Sequence, residues 1–190
     1  MERKSGAHWV QWADINAVNS KSMSTLEPNF KSKVESFIKA LTTAGATIEV
    51  TATRRSALRA YLFHWSWMIA LEKCKPSDAT SVFGVDIQWD HGNKEDSIKG
   101  AKEMVKGFGL AVPPKSNVAP AVSSNHILGR AIDMDIRWNN RIKVKNKEGK
   151  EVEVSYSYNT NANEKLIEVG KSYGVVKHLK DMPHRSYNGR

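Results

Sequence analysis

The sequence predicts an α+β fold in which helices flank a small antiparallel sheet. Apolar residues recur at helical spacing from Asn29 to Thr43, whereas apolar and polar residues alternate from Ala131 to Trp138. Two further alternating segments, Arg141–Lys145 and Glu151–Tyr156, are joined by a polar turn, which is typical of an antiparallel hairpin. Because these segments do not follow a strand–helix–strand rhythm, a parallel sheet is not expected.

The remaining elements follow from periodicity and from the helix-breaking residues glycine and proline. In chain order, the predictions are a strand at Thr47–Thr53, a helix at Arg55–Cys74, an irregular segment at Ser77–Asn93, a short helix at Ile98–Phe108, an extended connection at Ala111–Ser124 and a helix at Asn163–Tyr173.

Length and composition indicate a globular protein with one domain. The chain has 190 residues, of which 40% are hydrophobic and 26% are charged, which argues against a disordered chain. Its single cysteine, Cys74, excludes an intramolecular disulfide framework and a cysteine-rich zinc finger. The first thirty residues contain no apolar stretch of signal-peptide length. We therefore expect one domain over residues 1–190, made in a cytosol, monomeric and without stable membrane insertion.

The positive charge indicates an anionic partner. Lysine and arginine total 29 against 20 acidic residues, a net charge of +9. The densest basic cluster, Arg137–Lys150, alternates with Ile142 and Val144 and is interpreted as the solvated face of a strand. Since no recognised nucleic-acid-binding motif is present, we expect no nucleic-acid partner.

A first candidate for chemistry pairs a histidine with a carboxylate. In a strand beginning at Ala131, Asp133 and Asp135 lie on one face. Gly129 allows the chain to turn before this strand, which brings His126 to the carboxylate. Burying such a carboxylate is costly unless a cation pairs with it, and a divalent metal ion does so. The alternative is a hairpin with an ordinary surface aspartate.

A second pair, Asp181 and His184, lies near the end of the sequence. Pro183 fixes the backbone just before His184. Two histidines and one aspartate leave the fourth position of a zinc ion open for water, and a further carboxylate can take the proton of that water. The residues therefore indicate a hydrolytic zinc site, and the alternative is an exposed tail with a chance Asp–His pair.

Taken in this order, the two segments resemble the zinc motif of the D-Ala-D-Ala metallopeptidase family. The motif reads Ser124-x-His126-x-x-Gly129-x-Ala131-x-Asp133, followed far downstream by Asp181-x-Pro183-His184. Leu26–Val34 also resembles the opening helix of the family, and Glu49–Ser56 resembles its strand ending in Arg-Ser. The resemblance implies the hedgehog/DD-peptidase fold, which the family shares with lysostaphin-type peptidases and the hedgehog signalling domain.

The resemblance also implies roles for individual residues. His126, Asp133 and His184 match the zinc ligands of the family. Asp181 matches its general base, which later protonates the leaving amine.

Two more roles concern the substrate. Ser124 matches the serine that contacts the substrate peptide, and Arg55 matches the arginine aimed at the scissile carbonyl oxygen. The adjacent Arg54 is the alternative for that second role. The sequence departs from the pattern at Thr53-Arg54, where the family has glycine and an aromatic residue. It also departs at Arg185, where an aromatic residue usually follows the last histidine.

We therefore expect a zinc peptidase of the phage endolysin type, which hydrolyses the L-alanyl-D-glutamate bond of the peptidoglycan stem peptide with a metal-activated water. Such an enzyme would accumulate in the host cytoplasm before lysis and then act on the cell wall, and its charge would favour the anionic bacterial envelope. The alternatives are a D-alanyl-D-alanine carboxypeptidase or dipeptidase of the same fold, a non-catalytic zinc-binding relative and a basic nucleic-acid-binding protein.

Overall fold

The structure, a computed structural model, describes residues 3–158 and 162–190 and confirms the α+β class. Five helices are described: α1 His8–Asn16, α2 Pro28–Thr43, α3 Ala57–Ala70, α4 Lys94–Gly107 and α5 Glu164–Ser172. Six strands are described: β1 Thr47–Ala52, β2 Ala131–Arg137, β3 Arg141–Lys145, β4 Glu151–Ser155, β5 Val176–Lys177 and β6 His184–Ser186. Short 3₁₀ helices lie at Met23–Thr25 and Pro76–Asp78.

The residues group into two compact units, each made from two stretches of chain. We call residues 3–18 and 56–123 the helical unit, because it contains α1, α3 and α4. We call residues 19–55 and 124–190 the sheet unit, because it contains α2, α5 and all the described strands.

The helical unit has its own apolar core. Trp9 of α1, Leu62 and Ile69 of α3, and Met104 of α4 are all fully buried there. Trp89 is also buried, and its indole N–H donates to the Tyr61 hydroxyl at 3.0 Å. Trp89 therefore anchors the segment at 77–93 in this core. This segment is irregular, as predicted, apart from its first two residues, which belong to a 3₁₀ helix.

The sheet unit is built on a four-stranded antiparallel sheet of order β1-β2-β6-β5. The alternation along β2 turns Ile132, Met134 and Ile136 into the core, where they join Phe37 and Leu41 of α2. The amphipathic pattern of α2 is thus explained by one buried stripe against the sheet. The opposite face of β2 carries Asp133.

Strands β3 and β4 form a separate two-stranded sheet. Ile142 and Val144 of β3 are buried, while Arg141, Lys143 and Lys145 are exposed. The interpretation of this basic cluster as the solvated face of a strand is confirmed.

Several boundaries differ from the predicted ones for local reasons. Helix α3 ends before Cys74 because Glu72 takes a positive φ of 54°, which a right-handed helix cannot continue. Helix α4 begins earlier than predicted, at Lys94, because the Asn93 side chain accepts a hydrogen bond from Asp96 N at 2.8 Å and caps it. Helix α1 and strands β5 and β6 were not predicted. Within the described ranges, no helix is both long enough and apolar enough to cross a membrane.

Candidate metal centre

Strands β2 and β6 place one carboxylate and one imidazole side by side. Asp133 and His184 are partners in the antiparallel register, so their side chains leave neighbouring strands at the same level. Met134 N donates to Pro183 O at 3.1 Å, which extends the pairing by one residue. His184 therefore begins an inner strand of the sheet and does not lie in an exposed tail.

His126 reaches the same point from a tight turn that precedes β2. Leu128 N donates to Ser124 O at 3.1 Å, and Arg130 N donates to Asn125 O at 2.7 Å. Gly129 ends the turn with a φ of +69°, a conformation that side chains disfavour. The turn thus folds His126 back over the first residues of β2, as predicted from Gly129.

Replacing Gly129 by alanine should destabilise the protein by about 1–3 kcal/mol, the usual cost of strained backbone. An added Cβ would lie 3.0 Å from both Glu27 N and Thr25 O, in addition to the positive φ. Gly149 is the matched control, since it has a φ of +82° but an added Cβ would meet open space. Urea denaturation should therefore show a larger loss for Gly129→Ala than for Gly149→Ala, and equal losses would contradict the close packing.

The three side chains converge on one point. His126 Nε2 lies 3.2 Å from Asp133 Oδ1 and 3.1 Å from His184 Nδ1, and His184 Nδ1 lies 3.0 Å from Asp133 Oδ1. For comparison, nitrogen and oxygen ligands about 2.0–2.1 Å from a tetrahedral zinc ion are separated by about 3.3 Å. The triangle therefore has the dimensions of three adjacent corners of such a site.

The outer nitrogen of each imidazole faces a backbone oxygen. His126 Nδ1 lies 2.7 Å from Thr53 O, and His184 Nε2 lies 3.2 Å from Arg190 O. A backbone oxygen only accepts hydrogen bonds, so each outer nitrogen must carry the proton. In the neutral rings, the inner nitrogens are then lone-pair donors to a metal, oriented by their outer partners as metal-binding histidines usually are. The set His126, Asp133 and His184 could hold a metal ion.

The electrostatics of the site favour a cation. Burial works to raise the pKa of the Asp133 carboxyl, but the hydrogen bonds with His126 and His184 hold that pKa well below its ordinary value. Burial works to lower the pKa of His126, but its hydrogen bonds to Asp133 and to the Thr53 carbonyl outweigh burial and raise it. Both shifts favour positive charge at the centre of the triangle, whether protons or a metal ion carry it.

Arg55 and Arg54 differ in their relation to this centre. Arg55 N donates to His126 O at 3.2 Å, and the Arg55 charge is close enough to oppose protonation of His126. Arg54 instead accepts a hydrogen bond from Ser20 N at 2.8 Å through its carbonyl. Both side chains are exposed. These contacts favour Arg55 as the cation beside the centre.

Ser124 has a local structural contact. Its hydroxyl oxygen accepts a hydrogen bond from Ile127 N at 3.3 Å and so caps the turn that carries His126. The side chain is half-buried. Its role in substrate contact stays a prediction.

Asp181 lies one turn ahead of His184. His184 N donates to Asp181 O at 3.3 Å, and Asp181 N donates to His178 O at 3.3 Å. The Lys177 ammonium donates to the carbonyls of His178 and Asp181 and so pins this turn. The Asp181 side chain is exposed and lies outside the triangle of candidate ligands. It is therefore a carboxylate outside the candidate ligand set, three residues before His184 in the chain.

The sequence predicts no role in the centre for Thr53, Lys177 or Arg185 and a surface role for His178, but all four contact residues of the centre or of its turns. Thr53 is fully buried and receives His126 on its carbonyl. The His178 ring meets the His184 ring edge-on, with centroids 5.7 Å apart. The basic residue that directly follows a motif histidine was the available signal for Arg185, whereas a backbone acceptor such as Thr53 O leaves no signal in residue type.

Arg185 is nearly inaccessible to solvent. Burial lowers the pKa of its guanidinium to about 10, so it remains charged at neutral pH. It donates to the carbonyls of Met134 and Pro183, both at 3.4 Å, and thereby links β2 to the residue before His184.

No family model matches the chain, and no curated protein matches it.

Proposed function

We propose that the protein is a zinc peptidase of the hedgehog/DD-peptidase fold that hydrolyses the L-alanyl-D-glutamate bond of the peptidoglycan stem peptide. The observation that carries the proposal is the convergence of three lone-pair donors, on His126, Asp133 and His184. The exposed carboxylate of Asp181, which lies outside this set and three residues before His184, is the general base in this proposal. Two imidazoles and a carboxylate suit zinc, and three ligands leave a position open for chemistry.

When bound, zinc would supply Lewis-acid chemistry, which lowers the pKa of water and polarises a carbonyl group. The proton transfers are carried out by a side chain of the protein. Asp181 accepts a proton from the attacking water while the water oxygen bonds to the peptide carbonyl carbon. As the carbon–nitrogen bond breaks, Asp181 returns that proton to the leaving amine, so one water molecule is consumed and a carboxylate and an amine are released.

In this proposal, Arg55 stabilises the negative charge that develops on the scissile carbonyl oxygen. Its exposed guanidinium lies near His126, and preorganised cationic donors stabilise an oxyanion more than the carbonyl from which it forms. Ser124 contacts the peptide, in line with the matched motif. We keep the prediction that residues 1–190 act as one catalytic domain, although all the proposed site residues come from the sheet unit.

The choice of peptidoglycan as substrate is supported by the sequence pattern and the charge. The spacing of Ser124, His126, Asp133 and His184 resembles the motif of enzymes that cut cell-wall stem peptides. The net charge of +9 suits an anionic bacterial envelope. As a phage endolysin, the protein would lyse its host from the cytoplasmic side, monomeric and without membrane insertion.

Arg55→Ala should lower turnover by about 10²–10³-fold, the usual effect of losing one oxyanion partner, while zinc content stays unchanged. Arg54→Ala is the matched control and should have a much smaller effect, because Arg54 has no comparable relation to His126. Cleavage rates and metal content should be measured on the same preparations. A large loss confined to Arg54→Ala would exchange the two roles.

Digestion of purified peptidoglycan, followed by mass spectrometry of the products, tests the proposed bond. We expect new L-alanine carboxyl termini and new D-glutamate amino termini. Release of free D-alanine would instead identify a D,D-carboxypeptidase of the same fold. If the zinc-loaded protein produces no new termini, the proposed function is wrong.

A further inference from the structure

The turn formed by residues 186–190 closes against the outer edge of His184. Arg190 O accepts hydrogen bonds from His184 Nε2 at 3.2 Å and from Ser186 Oγ at 2.9 Å. The Ser186 hydroxyl also accepts hydrogen bonds from Gly189 N at 3.0 Å and Arg190 N at 3.1 Å. Ser186 is fully buried on β6, so this turn is held by a fixed point of the sheet.

Asn125 joins this turn to the loop that carries His126. Its side-chain amide donates to Arg190 O at 2.6 Å and to Asn188 Oδ1 at 2.8 Å. Asn188 Oδ1 also accepts from Arg190 N at 3.2 Å. Since Asn125 directly precedes His126 in the chain, its side chain links the loop that carries His126 to the turn that contacts His184.

We propose that Asn125, acting with Asn188 through the backbone oxygen of Arg190, is a positioning residue for His184 in the metal centre. The Arg190 oxygen fixes the proton on His184 Nε2 and leaves Nδ1 facing His126 and Asp133. Asn125 holds that oxygen in place, much as the hydrogen bonds from Thr53 N and Thr53 Oγ1 to Ser20 O hold the residue whose carbonyl orients His126. The inference rests on the metal centre of the proposed function but not on the bond that is cleaved.

Zinc affinity tests the inference directly, by competition with a chromophoric chelator. Asn125→Ala and Asn188→Ala should each weaken zinc binding by about 10–100-fold, as is usual when the outer partner of a ligating histidine is disturbed. The double variant should lose little more than the weaker-binding single variant, because both side chains act on one backbone oxygen. Asn29→Ala is the matched control, since Asn29 is an exposed asparagine of the sheet unit outside this network, and its affinity should be unchanged.

A second measurement separates positioning from general stability. In the zinc-loaded wild type, the His184 Nε2 proton should be visible by nuclear magnetic resonance and slow to exchange with water. In Asn125→Ala it should exchange faster, while the His126 Nδ1 proton, held by Thr53 O, should be unchanged.

Two failures are distinguishable. If the wild type binds zinc and both variants match its affinity and its proton exchange, the positioning role is wrong while the metal centre stands. If the wild type binds no zinc, the metal centre is wrong, and the positioning role falls with it.

Discussion

Asp181→Asn should lose at least about a hundredfold in turnover while it keeps its zinc and its fold. A general base contributes about 10²–10⁴-fold to rate, and an amide cannot take the proton of the attacking water. The substitution is nearly isosteric, and the Asp181 side chain lies outside the triangle of candidate ligands. Steady-state cleavage of a soluble stem-peptide fragment and metal analysis of the same preparation measure the two quantities.

Asp133→Asn provides the contrast for this first prediction. Asp133 Oδ1 lies within 3.2 Å of the inner nitrogens of both histidines, so its replacement by a neutral amide should weaken zinc binding. If Asp181→Asn loses zinc and Asp133→Asn retains it, the two roles are reversed. If Asp181→Asn is fully active, the proposed general base is wrong.

His126→Ala should abolish stoichiometric zinc and, with it, peptidase activity. The substitution leaves only Asp133 and His184 from the described set, and two ligands do not hold zinc tightly. Metal analysis after dialysis should find one zinc per chain in the wild type and none in the variant. Circular dichroism should show that the variant still folds.

His178→Ala is the matched control, because His178 packs against the His184 ring without belonging to the ligand set. It should retain its zinc. Zinc that persists in folded His126→Ala but disappears in His178→Ala would replace His126 by His178 as a ligand.

Local sequence pattern was sufficient for the elements that bury a regular apolar stripe. The alternation of Ile132, Met134 and Ile136 predicts both the strand and the face on which Asp133 lies, and the structure confirms both. Gly129 similarly predicts the turn that returns His126 to this strand. The periodicity of α2 fixed its range to within one residue.

Long-range pairing could not be predicted in the same way. Strands β5 and β6 are too short to show alternation, and β6 is defined by its register with β2, where His184 faces Asp133 across 51 positions of sequence. Helix α1 escaped notice because its buried positions, Trp9 and Ala13, form too small a stripe.

The hydrogen-bond partners of the outer imidazole nitrogens also cannot be predicted from the sequence pattern. Thr53 O and Arg190 O are backbone atoms, and almost any residue type could present a backbone oxygen at these two positions. Two departures from the family pattern acquire a physical role in this arrangement. The Thr53 hydroxyl donates to Ser20 O at 2.9 Å and secures its own carbonyl, while buried Arg185 links the backbones of β2 and β6.

Titration of zinc into metal-free protein, with cleavage of peptidoglycan followed at each addition, tests the account most directly. We predict no cleavage without metal, a linear rise with added zinc and a plateau at one zinc per chain. Cleavage by the metal-free protein, a plateau at another stoichiometry, or no cleavage by the fully loaded protein would contradict a single catalytic zinc held by His126, Asp133 and His184.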